Sequence, residues 1–286
     1  MHDLNADLHC HSRYSDGTLT PKALAERAHA NGVALWALTD HDETSGLAEA
    51  EAAAQSLGLD FLAGVEVSVT FAGETVHIVG LGFDPNDLAL REGLARTRGG
   101  RLTRARAMAD GLAQVGVGGA FEGALRYVSN PELMSRTHFA RWLVDTGVCS
   151  DTGSVFRRYL SEGKPGFVPH RWAGLGEAVR WITQAGGVAV VAHPARYKFT
   201  VNEEFALFSE FKADGGQGVE LLTSSHGHAD TIKYTGMAQE FGLLASRGSD
   251  FHSPHESRID LGALPDLPAG VLPVWQSLAH RVRRAT

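Results

Sequence analysis

The chain has 286 residues, 43% hydrophobic and 21% charged, the proportions of an ordinary globular protein that can bury one large core, or a core with an insertion. Its net charge of −7, from 26 basic and 33 acidic side chains, argues against coating of bulk nucleic acid but leaves room for a small basic pocket. No apolar run approaches the ~20 residues of a membrane span, so no membrane partner is expected.

Met1-His2-Asp3-Leu4-Asn5 lacks a basic region followed by an apolar stretch, so no signal peptide is expected. Cys10 and Cys149 lie far apart, give no disulfide framework and fit a reducing cytoplasm. No obligate protein partner is evident. A first strand leads into Asp7-Leu8-His9-Cys10-His11-Ser12, with Asp16 close behind. In an extended segment His9 and His11 point to one side and Cys10 to the other. Two converging imidazoles with a nearby carboxylate make half of a metal site.

Thr20-Pro21 opens a helix as N-cap and first-turn proline, and Asn31-Gly32 ends it. Residues 34–39 read as a buried strand followed by Asp40-His41-Asp42, and 44–57 as an Ala/Glu-rich helix. Strands are predicted over 60–69 and 75–83, separated by Ala72-Gly73-Glu74. This β-α-β-α-β order with a hairpin-like addition favours a parallel α/β sheet or barrel. From 91 to 171 the signals are helical, with 91–115 broken at Gly99-Gly100 and shorter helices at 138–146 and 151–160. That stretch reads as a helical insertion, capping the substrate, in a barrel made of 1–90 and 172–286. The framework resumes with a helix at 175–185, a strand at 188–192 ending in His193-Pro194, a helix at 202–213 and a strand at 218–222. A helix at 230–241, a strand at 243–246 before Asp250-Phe251-His252, and a terminal helix at 273–284 complete the reading.

His9, His11, Asp40, His41, His193, Asp250 and His252 fall at or just past strand ends, where α/β barrels gather their chemistry. Glu66 and His77 sit inside apolar strands, where an unpaired charge is costly. Each has a bland alternative. Asp40-His41-Asp42 could cap a helix, His193-Pro194 could be a turn, and Glu66 with His77 could be a buried hydrogen-bonded pair. Taken together they point to a multi-metal site. Its mixed His/carboxylate donors suit Mn, Fe or Zn better than Ca or Mg.

The pieces Asp7-Leu8-His9-Cys10-His11-Ser12 with Asp16-Gly17, Leu38-Thr39-Asp40-His41-Asp42, Gly64-Val65-Glu66, His77-Ile78-Val79-Gly80, Ala192-His193-Pro194 and Gly248-Ser249-Asp250-Phe251-His252 occur in one order along nearly the whole chain. In this the chain resembles the PHP (polymerase and histidinol phosphatase) family of metal-dependent phosphoesterases. The resemblance implies a distorted (β/α)7 TIM-like barrel with two or three divalent metals, manganese first. One metal would take His9, His11, Glu66 and Asp250. A second would share Glu66 and take His77 and His193, and a third would take Asp16, His41 and His252. A metal-bridging hydroxide held by Glu66, Asp250 and His193 would be the nucleophile. Asp40 would orient a ligating histidine, or cap a helix.

Within that family, Arg136-Thr137-His138-Phe139-Ala140 and Tyr159-Leu160 with Gly163-Lys164-Pro165-Gly166 resemble the branch that dephosphorylates nucleoside 3′,5′-bisphosphates. Related members are 5′→3′ exoribonucleases on 5′-phosphorylated RNA. The resemblance implies that Arg136, His138, Lys164 and Arg196 hold the 5′-phosphate while the 3′-phosphate lies on the metals; His138 could equally cap its helix. Ala195 stands where glycine often follows His-Pro, and Ser224-Ser225-His226 is left unassigned. The competing readings are histidinol phosphatase, a metal-dependent amidohydrolase, whose binuclear sites commonly want a bridging lysine at a strand end where none of the five lysines here falls, and a non-enzymatic metal-binding regulatory module.

Overall fold

The computed structural model describes residues 4–285. Met1–Asp3, on which the expectation of no leader partly rests, lie outside them. Strand β1 is Ala6–Asp7. Helix α1, Pro21–Ala30, starts where Thr20 accepts from the Ala23 N–H and stops at Asn31, as its capping residues predict. Then come β2 (Leu35–Leu38), α2 (Leu47–Leu57), β3 (Asp60–Phe71) and β4 (Glu74–Leu81). Ala72 and Gly73, with φ of 47° and 83°, turn β3 into β4, because a tight hairpin whose twist matches its strands needs left-handed residues at both positions.

Helices α3 (Leu88–Arg98) and α4 (Arg101–Ala113) follow, then α5 (Ala120–Leu125), α6 (Arg136–Asp145) and the short α7 (Thr152–Val155), which runs into a π turn, Phe156–Leu160. The chain returns through β5 (Ala173–Gly174) and continues as α8 (Leu175–Gln184), β6 (Val188–Val191), α9 (Val201–Ala213), β7 (Gly218–Leu222), α10 (His228–Glu240) and β8 (Leu244–Arg247). The predicted terminal helix over 273–284 forms only the turn α11, Val274–Ser277. Beyond it the backbone of Arg283 pairs with that of Phe61 in both directions, at 2.8 and 3.0 Å. The short α5 was not foreseen.

Seven strands run in the order β1-β2-β3-β4-β6-β7-β8. All neighbouring pairs are parallel except β3–β4 and β4–β6, so β4 runs against the rest and the sheet is mixed rather than wholly parallel. The two edges meet where the Leu8 N–H donates to Arg247 O at 3.1 Å and the Asp250 N–H to His9 O at 2.8 Å. The result is a nearly closed α/β barrel. Past Glu66, the β3–β4 hairpin rises above the barrel mouth, and β5 pairs with it at Val69 and Thr70.

Two separate apolar clusters fill the molecule. The larger holds the barrel strands and their helices, and includes Leu90 and Leu94 of α3. The smaller begins at Ala105 and joins Met108, Leu112, Phe139, Leu143 and Val155. The expected boundary at residue 91 therefore falls inside α3, whose apolar face packs on the barrel; the helices with their own core begin with α4.

Candidate metal centre and substrate cleft

Residues 8–17 cross the barrel mouth. His9 and His11 are fully buried on one side of this segment, with their Nε2 atoms 3.2 Å apart. Cys10 turns the other way, into the core, where its sulfur accepts from Trp36 Nε1 at 3.2 Å. Gly17 makes the turn that brings Asp16 back, and any Cβ there would stand 2.0 Å from His11 O. Asp40 clamps this segment. It accepts from the Ser12 N–H at 2.8 Å and from the Ser12 and Ser15 hydroxyls at 2.6 Å each. It caps no helix, since the N-cap of α2 is Gly46, and it holds the loop between two candidate ligand residues rather than a ring.

All nine expected ligands meet at the mouth. Glu66 is central. Its Oε1 lies 2.9 Å from His193 Nε2 and 2.9 Å from His77 Nδ1, and its Oε2 lies 3.0 Å from His41 Nδ1, 3.3 Å from His11 Nε2 and 3.4 Å from His9 Nε2. Asp250 Oδ1 is 3.2 Å from His11 Nε2, and Asp16 Oδ1 is 3.3 Å from His252 Nε2. The side chains form four overlapping groups of ligand atoms, one of which joins His11 to Asp16, His41 and His252. His193 and Asp250 hold φ of 28° and 53°, values costly for residues other than glycine and typical of sites where function fixes the backbone.

The cluster fits divalent cations. Buried His11 Nδ1, Asp16 Oδ1, His41 Nδ1, Glu66 Oε2 and His77 Nδ1 have no hydrogen-bond partner, and such groups are costly unless something binds them. The charge balance agrees. Burial would raise the Glu66 carboxyl, but His77, His41 and His9 around it hold it well below the usual carboxylate range. Burial disfavours a charged His252, yet Asp16 and Asp250 raise it to about 9, so the carboxylates draw positive charge onto the rings. His193 goes the other way, pushed down to about 3 by burial and Arg196, which leaves its ring neutral and able to ligate.

Behind the ligands stands a layer that sequence reasoning missed. Glu220, on β7, is 1% exposed. Its Oε1 lies 2.8 Å from His9 Nδ1, and its Oε2 accepts the His193 N–H at 2.7 Å. The Tyr197 hydroxyl accepts the His77 N–H at 2.9 Å and donates to Ala192 O at 2.8 Å. Arg101 donates to Asp42 and, at 3.1 Å, to Ser68 Oγ, while Asp42 accepts from the Ser68 N–H at 2.7 Å.

The cleft above the ligands is walled by the helical segment. Arg101, Arg104 and Arg136 line it together with Trp172. Burial, and then Arg136 and Arg101, push Arg104 down to about 10, a sign of cations crowded together. Arg136, expected to hold a phosphate, lines this cleft. Arg196 is at the rim, donating to Asp250 Oδ2 at 2.9 Å. The two other expected phosphate ligands lie elsewhere. His138 is fully buried in the first turn of α6, and its Nδ1 accepts the Ser135 N–H at 2.9 Å, so its ring closes a capping box. Lys164 is exposed in a turn that packs on α4 at Gly111, about 15 Å along the helix axis from Arg101. No lysine is among the described residues lining the cleft, so the bridging lysine of the amidohydrolase reading has no counterpart. Arg101 and Arg104 had a signal in Arg101-Leu102-Thr103-Arg104, since residues three apart share a helix face.

Comparison with known proteins agrees with this arrangement. Residues 7–114 match the PHP domain model. A 3′,5′-nucleoside bisphosphate phosphatase of Chromobacterium violaceum is 53% identical over 280 residues, covering 98% of each chain. A 5′-3′ exoribonuclease of Haemophilus influenzae is 41% identical over 270 residues, covering 94% of this chain and 97% of its own. A solved structure from Chromobacterium violaceum, described as an amidohydrolase with bound sulfate and no metal, superposes with a TM-score of 0.96 at 52% identity and covers 99% of this chain and 98% of its own. The ligand cluster at the mouth of a mixed, nearly closed barrel and the likeness along almost the full length lead to one conclusion: the chain belongs to the PHP family.

Proposed function

We propose that this protein is a metal-dependent phosphatase that removes the 3′-phosphate of nucleoside 3′,5′-bisphosphates, leaving a 5′-monophosphate and inorganic phosphate. The observation that carries the reading is the pairing of two sites in one cleft. Arg104 and Arg136 face the cleft beside the ligand cluster, and neither has a carboxylate partner among the described residues. Guanidinium groups left unpaired in a half-closed cleft suit a phosphate dianion. A substrate with two phosphates satisfies both ends, with one anchored by arginine and one at the ligand cluster. Binding energy from the anchored phosphate then holds the reacting one in place.

When bound, the divalent cations activate water and offset the charge that grows on the phosphoryl group. The chain's own residues do the rest. Glu66, Asp250 and Asp16 with the six histidines would hold the cations, and Glu220 and Asp40 hold these residues in place. Arg196 covers Asp250 at the rim. The helical segment excludes water from one side. Manganese is the metal we expect first, with iron and zinc as alternatives of the same donor chemistry. The two buried free thiols, Cys10 and Cys149, support work in a reducing cytoplasm. Trimming a 5′-phosphorylated oligoribonucleotide breaks the same bond to a 3′ oxygen, and this substrate belongs to the proposal.

The test is phosphate release from adenosine 3′,5′-bisphosphate with Mn²⁺, beside 5′-AMP, 3′-AMP and histidinol phosphate, before and after chelation. The expected outcome is turnover that depends on metal and favours the bisphosphate over either monophosphate. Preference for histidinol phosphate, or silence with metal fully loaded, would overturn it.

A further inference from the structure

The cleft over the ligands has two mouths. One, on the β3–β4 side, is the arginine-walled pocket described above. The other opens on the β7–β8 side, lined by Thr152, Ser224, Ser225, Ser257 and Arg258. Thr137, Arg196, Asp250 and His252 line both, so the two pockets meet over the metal ligands. On the phosphatase reading a mononucleotide bisphosphate occupies the first pocket and the ligand cluster, which leaves the second without an assigned role in that reaction.

Its chemistry is specific. Glu256, the acidic group at its edge, is held by Arg141 through two hydrogen bonds of 2.8 and 2.6 Å, and Asp250 is held by Arg196. Arg258 is exposed and makes no ion pair among the described residues, so it leaves this mouth with an uncompensated positive charge. Apart from the His252 ring, which belongs to the ligand cluster, the remaining side chains are hydroxyls, and no Phe, Tyr, Trp or aliphatic side chain lines it. Such a surface suits ribose hydroxyls and phosphate oxygens, whereas stacked bases need an aromatic platform.

We propose that this second mouth is the groove for the downstream chain of a 5′-phosphorylated oligoribonucleotide. The proposal rests on the phosphatase reading, because the anchored 5′-phosphate sets the direction of the strand. The bond chemistry requires a second exit. In hydrolysis an oxygen of water bonds to phosphorus, the P–O3′ bond breaks, and a water proton ends on the 3′ oxygen. The terminal nucleoside leaves as its 5′-monophosphate in the arginine pocket. With the bisphosphate, the reacting phosphorus carries only terminal oxygens besides O3′. With an oligomer it still carries the O5′ of the next nucleotide, so the remaining strand stays attached to the reacting phosphorus and must leave the ligand cluster on the side away from the first pocket.

The experiment compares adenosine 3′,5′-bisphosphate with a short 5′-phosphorylated single-stranded RNA, using the Mn²⁺-loaded wild type, Arg258→Glu and Ser225→Lys. Both positions are exposed and touch neither the ligands nor the arginine pocket. Arg258→Glu is expected to lower kcat/KM for the RNA about tenfold while the bisphosphate stays within about twofold, and Ser225→Lys to raise the RNA value with a steeper salt dependence. Trimming that is absent in the wild type, or that responds to neither variant, or both substrates moving in parallel, would overturn the groove while the phosphatase reading stands. Failure of the wild type on the bisphosphate would remove the reading itself.

Discussion

Replacing Glu220 by glutamine tests whether the layer behind the ligands tunes the metals. His9 turns Nε2 toward Glu66 and Asp250, at 3.4 and 3.6 Å, which leaves Nδ1 to donate to Glu220 Oε1 at 2.8 Å. The other carboxylate oxygen accepts the His193 N–H at 2.7 Å, so one side chain fixes two ligand residues. Glutamine has the same shape but offers only one acceptor, and its amide NH2 must face one of the two donors. A hydrogen bond to a charged group is worth roughly 1.5–3 kcal/mol, so metal affinity is expected to fall roughly 10- to 100-fold, the range found when the partner of a ligating histidine is removed. The assay is calorimetric titration of Mn²⁺ into chelator-stripped wild type and Glu220→Gln, with thermal melts of both metal-free proteins in parallel. Wild-type affinity in the variant would refute the reasoning, even if its melting temperature fell, because Glu220 would then serve the barrel alone.

Two further outcomes follow from the cleft and its wall. Arg104→Met should lower kcat/KM for the 3′,5′-bisphosphate roughly 10- to 100-fold, the cost of one charge-assisted hydrogen bond to phosphate, and should change that for a 3′-monophosphate by less than about threefold; equal losses on both would remove Arg104 from the anchor. Burial, aided by Arg141 and opposed by Asp16, pushes His138 down to about 4 from its ordinary 6.5, so the unfolded chain binds the extra proton between those values. Its contribution to stability is whole above pH 6.5 and is lost as pH falls toward 4, about 2 kcal/mol of it by pH 5. Urea unfolding at pH 7 and pH 5 should show that loss in the wild type and not in His138→Gln, which keeps an acceptor for the Ser135 N–H; equal losses would refute it.

The ligands were legible because each is a polar residue out of place. Glu66 interrupts an apolar strand, and His9, His11, His193 and Asp250 stand at strand ends, so a single sequence can flag them. Glu220 carries the same mark: Gly218-Val219-Glu220-Leu221 repeats the pattern of Gly64-Val65-Glu66-Val67. No second polar residue nearby in sequence gives it a partner, because its partners, His9 and His193, lie 211 and 27 residues away. Arg104 lies among Arg101 and Arg106 on a helix that reads as solvated, and only the fold shows which face turns inward. His138 and Lys164 illustrate the converse, since a motif fixes residue type but not direction. The terminal helix failed for a long-range reason. The Phe61 backbone precedes the first β3–β4 pair, at Gly64, and needs another partner, which Arg283 supplies by leaving helical geometry.

On the proposed reading, the joint between the helical segment and the barrel would set the spacing at which one cleft meets two phosphates. Arg101, the first residue of α4, ties Asp42 to Ser68. Asp42 follows the ligand His41 with φ of 50°, and Ser68 stands two residues beyond the ligand Glu66. The chain's return is fixed at the same hairpin. The Trp172 N–H donates to Thr70 Oγ1 at 2.8 Å, its Nε1 donates to Thr75 Oγ1 at 3.1 Å, and its ring lies under the Arg101 guanidinium at 4.5 Å. Entry and exit of the segment are therefore both pinned beside two residues of the candidate ligand cluster, His41 and Glu66. Arg104 follows Arg101 by three residues of α4, about 4.5 Å along its axis, so the proposed arginine anchor and the ligand loops share one support. An anchor on a hinged lid would have to close before it could select; here the distance from anchor to ligands is set when the chain folds. Selection by a fixed spacing draws on orientation prepared in advance, the least costly use of binding energy from a remote phosphate.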